Sequence, residues 1–424
     1  MKEKLLSKPK ILFVALGSSI HTARWIKQIT DQGWDIHLFI CDHSIHNILK
    51  EYEKDKKINI YGKIYHPVEY KIKIPIYVGR DSLIIRTIKR VLRLVINVII
   101  NPVILLPLLH NISLSLKQTH KMLASVISEI KPDIIHSLEL QHNAYLTLKA
   151  KKIIRGQFPT WIVTNWGADI HYFGRFEEHR DMIKQVLASC DYYSSECHRD
   201  ITLASNLGFK GIFLPVLPNA GGFNIEEIKK LKQDDKPSSR KTIAVKGAES
   251  WVYKGLHILK AIELCKELIL DNKYNIIVYL PSDIVINEIE RLRNEHGLHI
   301  QALPYVSHEE MLKLHGRSRI SIGNNLSDGI STSCLEAIVM GSFPIQSNTS
   351  CAYEWITHGV NGFLVKPDDL LGLAKCIKQA LTDDTLVDKA AEINQQILHQ
   401  RLDEKIIKNQ VVEIYKFVMT GSSC

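Results

Sequence analysis

Apolar residues along this chain fall into two kinds of run, and the two alternate. Short unbroken runs such as KILFVAL (10–16), WDIHLFIC (34–41), PDIIHSL (132–138), TWIVTNW (160–166) and CDYYSSE (190–196) have the length of buried strands. Between them lie amphipathic stretches with helical spacing, such as SIHTARWIKQITDQG, which stops at Gly33, and HRDMIKQVLAS. Strands alternating with helices predict a parallel, doubly wound sheet. The rhythm breaks at LPNAGGFNIEEIKKLKQDDKPSSRKT (217–242), rich in Gly, Pro, Ser and Lys, which reads as a connection between domains. It then restarts with TIAVKG, GLHILKAIELCKELI, YNIIVYL, INEIERLRNE, HIQALPY, HEEMLKLHG and RISIGN. The expectation is an α/β chain with a first domain over 1–218, a second over 219–383, and a charged helical tail over 384–424 whose docking the pattern leaves open. Sheets of this kind hold ligands at the carboxyl ends of their strands, so the cleft between the two domains is the expected site.

One segment departs from the alternation. Between Ser82 and Ser128 there is no acidic residue. Arg86, Lys89, Arg90, Arg93 and Asn97 fall at offsets 0, 3, 4, 7 and 11, one stripe of a helix in which nearly everything else over 83–100 is aliphatic. Pro102 and Pro107 follow, and together with Arg93 they argue against a membrane span. A buried core helix is the plain alternative. Four cations on one face favour an interfacial helix against an anionic membrane surface, with the basic segment extending over 83–116.

Composition narrows the classes. The chain has 424 residues, 45% apolar and 23% charged, which suits two or three ordinary globular domains. Its 54 basic against 45 acidic residues give a net charge of +9. That balance fits phosphorylated substrates or an anionic membrane; without an RNP, zinc-finger or helix-turn-helix signature, no nucleic acid is expected as partner. Eight cysteines are scattered singly, as in a reduced cytosolic protein. The apolar run after the N-terminal lysines is too short for a secretory signal and reads as the first strand. Cys41, His43 and His46 of CDHSIH read as a loop rather than a metal cluster; no metal and no cofactor are expected.

The stretch NNLSDGISTSCLEAIVMGSFPIQSN (324–348) concentrates the candidate chemistry. Asp328 sits in a loop after strand RISIGN, and Glu336 lies on the first turn of the helix that follows. Free N–H groups at that helix start make an anion site, and flanking carboxylates suit sugar hydroxyls. Together they suit a nucleotide-sugar. Ser333-x-x-Glu336 is also a capping box, in which Glu336 only satisfies its own helix end.

Extended to Asp369, the stretch resembles the signature of the family 4 (group 1) retaining glycosyltransferases. That signature has an acid, seven intervening residues and a Glu, then EA-x-x-x-G-x-P and NG-x-L-V-x-P-x-D. Here the positions are Asp328, Glu336-Ala337, Gly341, Pro344, Asn361-Gly362 and Pro367-Asp368. ILFVALGSSIHTARWIKQITDQGWDIHLF, KPDIIHSL, TNWGADI and LPNAGG resemble further family landmarks in the same order, so the resemblance runs from Lys10 to about Asp369. It implies two Rossmann-like domains with parallel sheets facing a cleft, the GT-B arrangement. It also implies that Glu336 binds the ribose, that Asp328 contacts the donor sugar, and that backbone N–H groups of Gly329, Ile330, Ser331 and Thr332 meet sugar and phosphate. Lys246 and Lys254 match the basic pair that stabilises a departing diphosphate. The loop carrying Tyr305 and Val306 matches the one that contacts the base.

In the first domain, the tight Gly17-Ser18-Ser19 turn is expected to approach the phosphates or the acceptor. His21 reads as a cleft residue or a helix N-terminal one, His136 as a cleft residue, and Asp169 as a cleft residue or a helix cap. Three positions depart from the family: Asp328 stands where Glu is usual, the basic pair is spaced more widely and opens with Lys rather than Arg, and Leu138 replaces a His. Glu139 and His142 lie nearby.

The resulting expectation is a retaining transferase that moves a sugar from a UDP- or GDP-sugar to a hydroxyl, on a lipid-linked or other saccharide acceptor. Its expected place is cytoplasmic and peripheral, at the inner face of the cytoplasmic membrane. Rivals are a nucleotide-sugar epimerase or phosphorylase on the same fold, or a non-catalytic membrane-bound assembly partner. A Rossmann oxidoreductase is disfavoured, because ALGSSIHTAR is not a GxGxxG.

Overall fold

The structure, a computed structural model, describes residues 8–42, 44–62 and 119–421. The amphipathic helix expected over 83–100, and the segment 83–116 that contains it, lie outside the described residues. Among the described residues no helix is long and apolar enough to cross a membrane.

The first sheet contains β1 (Lys10–Ala15), β2 (Asp35–Ile40), β3 (Asn59–Tyr61), β4 (Ile134–Leu138), β5 (Thr160–Thr164), β6 (Tyr192–Ser194) and β7 (Ile212–Phe213). Its order is β3-β2-β1-β4-β5-β6-β7, and every pairing is parallel. The unbroken aliphatic runs follow from this. Helices cover both faces, so Ile11, Phe13 and Ala15 point into one core and Leu12 and Val14 into the other. The second sheet contains β8 (Thr242–Lys246), β9 (Asn275–Tyr279), β10 (Ile300–Leu303), β11 (Ser318–Gly323), β12 (Phe343–Ser347) and β13 (Phe363–Val365). Its order is β10-β9-β8-β11-β12-β13, again parallel throughout. The expected two-domain α/β fold is what forms.

Each sheet reverses its winding direction once. The reversal lies between β1 and β4 in the first sheet and between β8 and β11 in the second. Crevices open at the carboxyl ends of strands at such points. The turn after β1, the end of β4, Lys246 at the end of β8 and the loop after β11 are therefore placed by topology.

The tail divides between the two domains. Helix Asp384–Ile397 packs Val387 and Ala390 into the core of the second sheet. The chain then returns: Phe223 and Glu404 exchange backbone hydrogen bonds with Leu402 and Phe223 (2.7 and 3.0 Å). Helix Glu404–Thr420 lays Ile407, Val411, Ile414, Tyr415 and Val418 on the first sheet.

Candidate functional site

Strand β11 ends at Gly323, and the next residues form a tightly tied loop. Asn325 takes hydrogen bonds from Gln346 and Ser347 through its side-chain oxygen (2.8 and 2.7 Å), and its amide nitrogen donates to Asp328 Oδ2 (3.1 Å). The other oxygen of Asp328 accepts from the Gly329 amide at 3.0 Å. Burial raises this carboxyl above the ordinary aspartate range, and the Lys246 charge opposes that. The first domain presses directly on the loop. A Cβ on Gly167, in the WGAD turn after β5, would meet Asp328 Oδ1 at 2.6 Å; one on Gly329 would meet Glu196 Oε2 at 2.4 Å. Two glycines are what allow the domains to approach this closely.

Helix Thr332–Met340 begins at Ser331, whose hydroxyl bonds Ser333 Oγ (2.9 Å) and caps no helix amide. Of the amides expected to face a ligand, Gly329's is taken by Asp328 and Ile330's by Glu196. The N-cap side chain leaves the start of this helix uncapped. The capping-box reading of Glu336 does not hold. The N-cap is Ser331, two residues before Ser333, and the Glu336 carboxylate turns away from its own backbone to His308 Nε2 (3.0 Å), with His315 Nε2 at 3.6 Å. His315 is fixed in turn by Ser321 (2.9 Å). Burial works against ionisation of Glu336, but the His308 hydrogen bond and the adjacent His315 outweigh it and hold the carboxyl down at about 2.

Lys246 ends β8 and lies over the Tyr253 ring at 4.5 Å. Lys254 donates its backbone N–H to Asn324 O (3.0 Å) and leads into helix Gly255–Glu263. The wide spacing of the two lysines has a structural cause. Residues between them fold back on themselves, Glu249 bridging to Lys254, and pair with the site loop through Tyr253↔Asn325 and Leu326 N to Val252 O (2.8 Å). Tyr305 is 90% exposed, so the loop after β10 is open to an incoming ring, with Val306 half-buried beside it.

The first-domain expectations fare differently. The Gly17 and Ser18 amides both donate to Asp42 (2.6 and 2.9 Å), and the Ser18 hydroxyl also bonds this carboxylate. A Cβ on Gly17 would strike Ser44 O at 2.7 Å, so glycine is needed for this tight turn; its two amides are already occupied. His21 lies edge-on to Trp166 (5.7 Å), and burial, then the Arg24 and Lys246 charges, push it down to about 4. It is thus a neutral imidazole near both domains' cations.

His136 must be corrected. It is 1% exposed, bonds Tyr415 Oη through Nδ1 (2.7 Å) and Thr164 Oγ1 through Nε2 (2.6 Å), and does not face the cleft. A strand residue two positions short of the strand end is still covered by packing helices. Asp169 takes the cap alternative: Oδ2 accepts from Leu140 N (2.9 Å) and Trp166 N (2.8 Å), and burial, then Glu139, raise its carboxyl.

Glu139 follows β4 with φ of +81°, and its carboxylate accepts from His142 and Asn143 amides to close a wide helical turn over Leu140–Ala144. Glu139, Asp42, Glu196, Arg199 and His308 are site residues that the sequence reading did not single out for these roles. Glu139 had a local signal, a carboxylate at a strand end; the others act across long separations. Among the described residues, three potential metal ligands meet only at Cys197, Cys351 and Glu354, and both Glu354 oxygens already accept the His198 amide (2.9 and 3.1 Å).

Two facing α/β domains bring paired carboxylates, two lysines and an uncapped helix start to one cleft, an arrangement whose chemistry suits a sugar phosphate. Residues 227–397 match the family model described as glycosyl transferases group 1, and residues 10–94 and 105–195 match the one described as glycosyl transferase 4-like. The chain belongs to the group 1 glycosyltransferases and has their GT-B fold. No curated protein sequence matches it. A glycosyltransferase from Rickettsia africae ESF-5 superposes with a TM-score of 0.65 at 16% identity, covering 98% of this chain and 100% of that one. For sucrose-phosphate synthase of Thermosynechococcus elongatus the values are 0.68, 13%, 98% and 100%. For Anabaena HepE in complex with UDP they are 0.62, 15%, 96% and 99%. At these identities the likeness is one of fold.

Proposed function

We propose that this glycosyltransferase moves a sugar from a UDP- or GDP-sugar to a hydroxyl acceptor with retention, and that the acceptor is a lipid-linked saccharide used in surface polysaccharide or glycolipid synthesis. One observation carries the donor site: Asp328 and Glu336 stand on either side of an uncapped helix start, with Lys246 in electrostatic reach of Asp328. Complexes of the Anabaena protein with UDP and with UDP-glucose support a uridine nucleotide.

In this reading Glu336, kept ionised by His308, accepts the ribose hydroxyls. The Ser331 and Thr332 amides and Lys246 and Lys254 take the diphosphate. Negative charge grows on the leaving phosphate as the anomeric bond breaks, and fixed cations stabilise that state more than the ground state. Asp328 orients the donor sugar. The acceptor hydroxyl attacks the face that the phosphate leaves, and the departing phosphate oxygen takes its proton, so configuration is retained. Two lysines and a helix terminus supply the charge that a metal would otherwise bring, and metal-independent transfer is the expectation.

The basic segment 83–100 supports a place at the inner face of the cytoplasmic membrane. Binding to anionic vesicles that persists when Arg86, Lys89, Arg90 and Arg93 are all made neutral would count against it. Calorimetry with UDP- and GDP-sugars tests the donor site. One nucleotide should bind, and Glu336→Ala should weaken it about 10- to 100-fold through loss of charged hydrogen bonds. Equal binding by the variant removes the reading's support. Nucleotide release that depends on an acceptor separates transfer from epimerisation.

A further inference from the structure

Helix Ile20–Lys27 packs Ala23, Trp25 and Ile26 against the first sheet. Its other side carries His21, Arg24 and, at the C-terminal cap, Gln28. Offsets of 3 and 7 put these three on one stripe. Each is unfulfilled. Arg24 is half-buried and makes no hydrogen bond or ion pair with any described residue. Gln28 is 8% exposed, yet among the described residues neither its amide oxygen nor its nitrogen has a partner, and His21 Nδ1 is buried without one there.

The stripe looks across the cleft. Arg24 and His21 are within electrostatic reach of Glu336, and His21 of Lys246. Gln28 lies against Gly221 of the interdomain connection, where a Cβ would sit 3.9 Å from its nitrogen. Glu336 does not satisfy Arg24, because His308 already holds it. A half-buried guanidinium that no anion meets in a hydrogen bond is costly, the Glu336 charge acting on it only from a distance, and a ligand that supplies a bonded anion removes that cost. So is a buried amide without partners.

We propose that the His21–Arg24–Gln28 stripe is a second oxyanion site, which binds a phosphate carried by the acceptor. The second domain's lysines and helix amides are assigned to the donor diphosphate in the reading above, on which this inference rests. A transferase holds two substrates at once, and the unfulfilled donors on the opposite wall remain for the other one. Guanidinium and amide N–H groups are arrayed along a helix, and phosphate offers several oxygens to such an array. The phosphate could belong to a soluble sugar phosphate or to a lipid phosphate; the chemistry at the stripe is the same.

The test is calorimetric titration of the whole protein with inorganic phosphate at constant ionic strength, with and without saturating UDP. Phosphate should bind in both cases. Arg24→Gln should weaken phosphate about tenfold or more, as loss of a charge-assisted bidentate contact does, and leave UDP affinity within about twofold. Arg24→Lys should fall between, and Gln28→Ala gives the same direction without touching the cation. Loss of the Arg24-dependent phosphate binding under saturating UDP, or weakening of UDP by Arg24→Gln, makes Arg24 a donor contact and overturns the proposal. Equal phosphate binding by Arg24→Gln overturns it too. Bound phosphate should be displaced either by glucose 6-phosphate or by phosphatidic acid vesicles, which tells the source; displacement by neither overturns the acceptor assignment. Failure of UDP to bind at all would strike the donor reading, while the phosphate titration without UDP still decides Arg24.

Discussion

Glu196 is a carboxyl whose protonation the domain interface controls. It is 8% exposed, accepts the Asn219 amide at 2.8 Å and lies under Gly329 of the opposite domain. Burial, then the neighbouring Asp328, raise its carboxyl to about 8 from an ordinary 4.5. Between those values the unfolded chain has released a proton that the folded protein still holds. Stability therefore falls as pH rises through this window, and the loss is complete above about 8. The limiting slope is about 1.4 kcal/mol per pH unit, and relaxation around a buried carboxylate reduces the total to the order of 2 to 3 kcal/mol. Glu196→Gln keeps an acceptor for Asn219 and has no proton to lose. Denaturant melts at pH 5.5 and 8.5 should show the variant gaining on the wild type at the higher pH. A difference independent of pH would refute the assignment.

Helix Glu404–Thr420 is the element that most changes the meaning of its neighbours. Its Tyr415 is fully buried; its hydroxyl accepts from Trp25 Nε1 (2.9 Å) and is shared with His136 Nδ1 (2.7 Å). Burial holds His136 down at about 3, so it stays neutral throughout the physiological range. Three elements from the two ends and the middle of the first-domain fold thus meet at one phenol. Tyr415→Phe preserves the ring and strands the indole N–H and the imidazole nitrogen. The expected cost is about 1 to 3 kcal/mol in urea unfolding, from buried groups left without partners. A change below about 0.5 kcal/mol, within ordinary surface-substitution noise, would mean that the hydroxyl is not needed there.

Across the whole molecule, Arg199 ties the domains together behind the site. Its Nε bonds Asp200 Oδ1 (2.7 Å), while the guanidinium reaches Thr349 O (2.9 Å) and Asp328 O (3.0 Å) in the second domain. Asp200 is fully buried, and apart from Arg199 its carboxylate has Asn165 (2.8 Å). Arg199→Met should cost about 3 to 5 kcal/mol, because it leaves a buried charge without its countercharge. It should also loosen the cleft, since both second-domain contacts go at once. Small-angle scattering should show a larger radius of gyration, and transfer should fall. An unchanged radius with unchanged stability would show that Arg199 is no tie.

The sequence by itself determined the alternation of strands and helices, the break near 217–242, and the loop and helix carrying Asp328 and Glu336. These are local: continuous aliphatic runs mark strands covered on both faces, and glycine and proline mark where regular structure cannot continue. Only the tertiary structure decided the rest. Periodicity says that His136 is in a strand, but in a sheet covered on both faces neither side means the cleft. The cap reading of Glu336 rests on spacing alone; a histidine 28 residues away takes the carboxylate and removes that reading. The return of the last helix to the first domain, and the meeting of Glu196 with Gly329, depend on contacts between distant parts of the chain. Such contacts are set by how whole surfaces pack, and no local pattern of apolar and polar residues encodes which surface a side chain will meet.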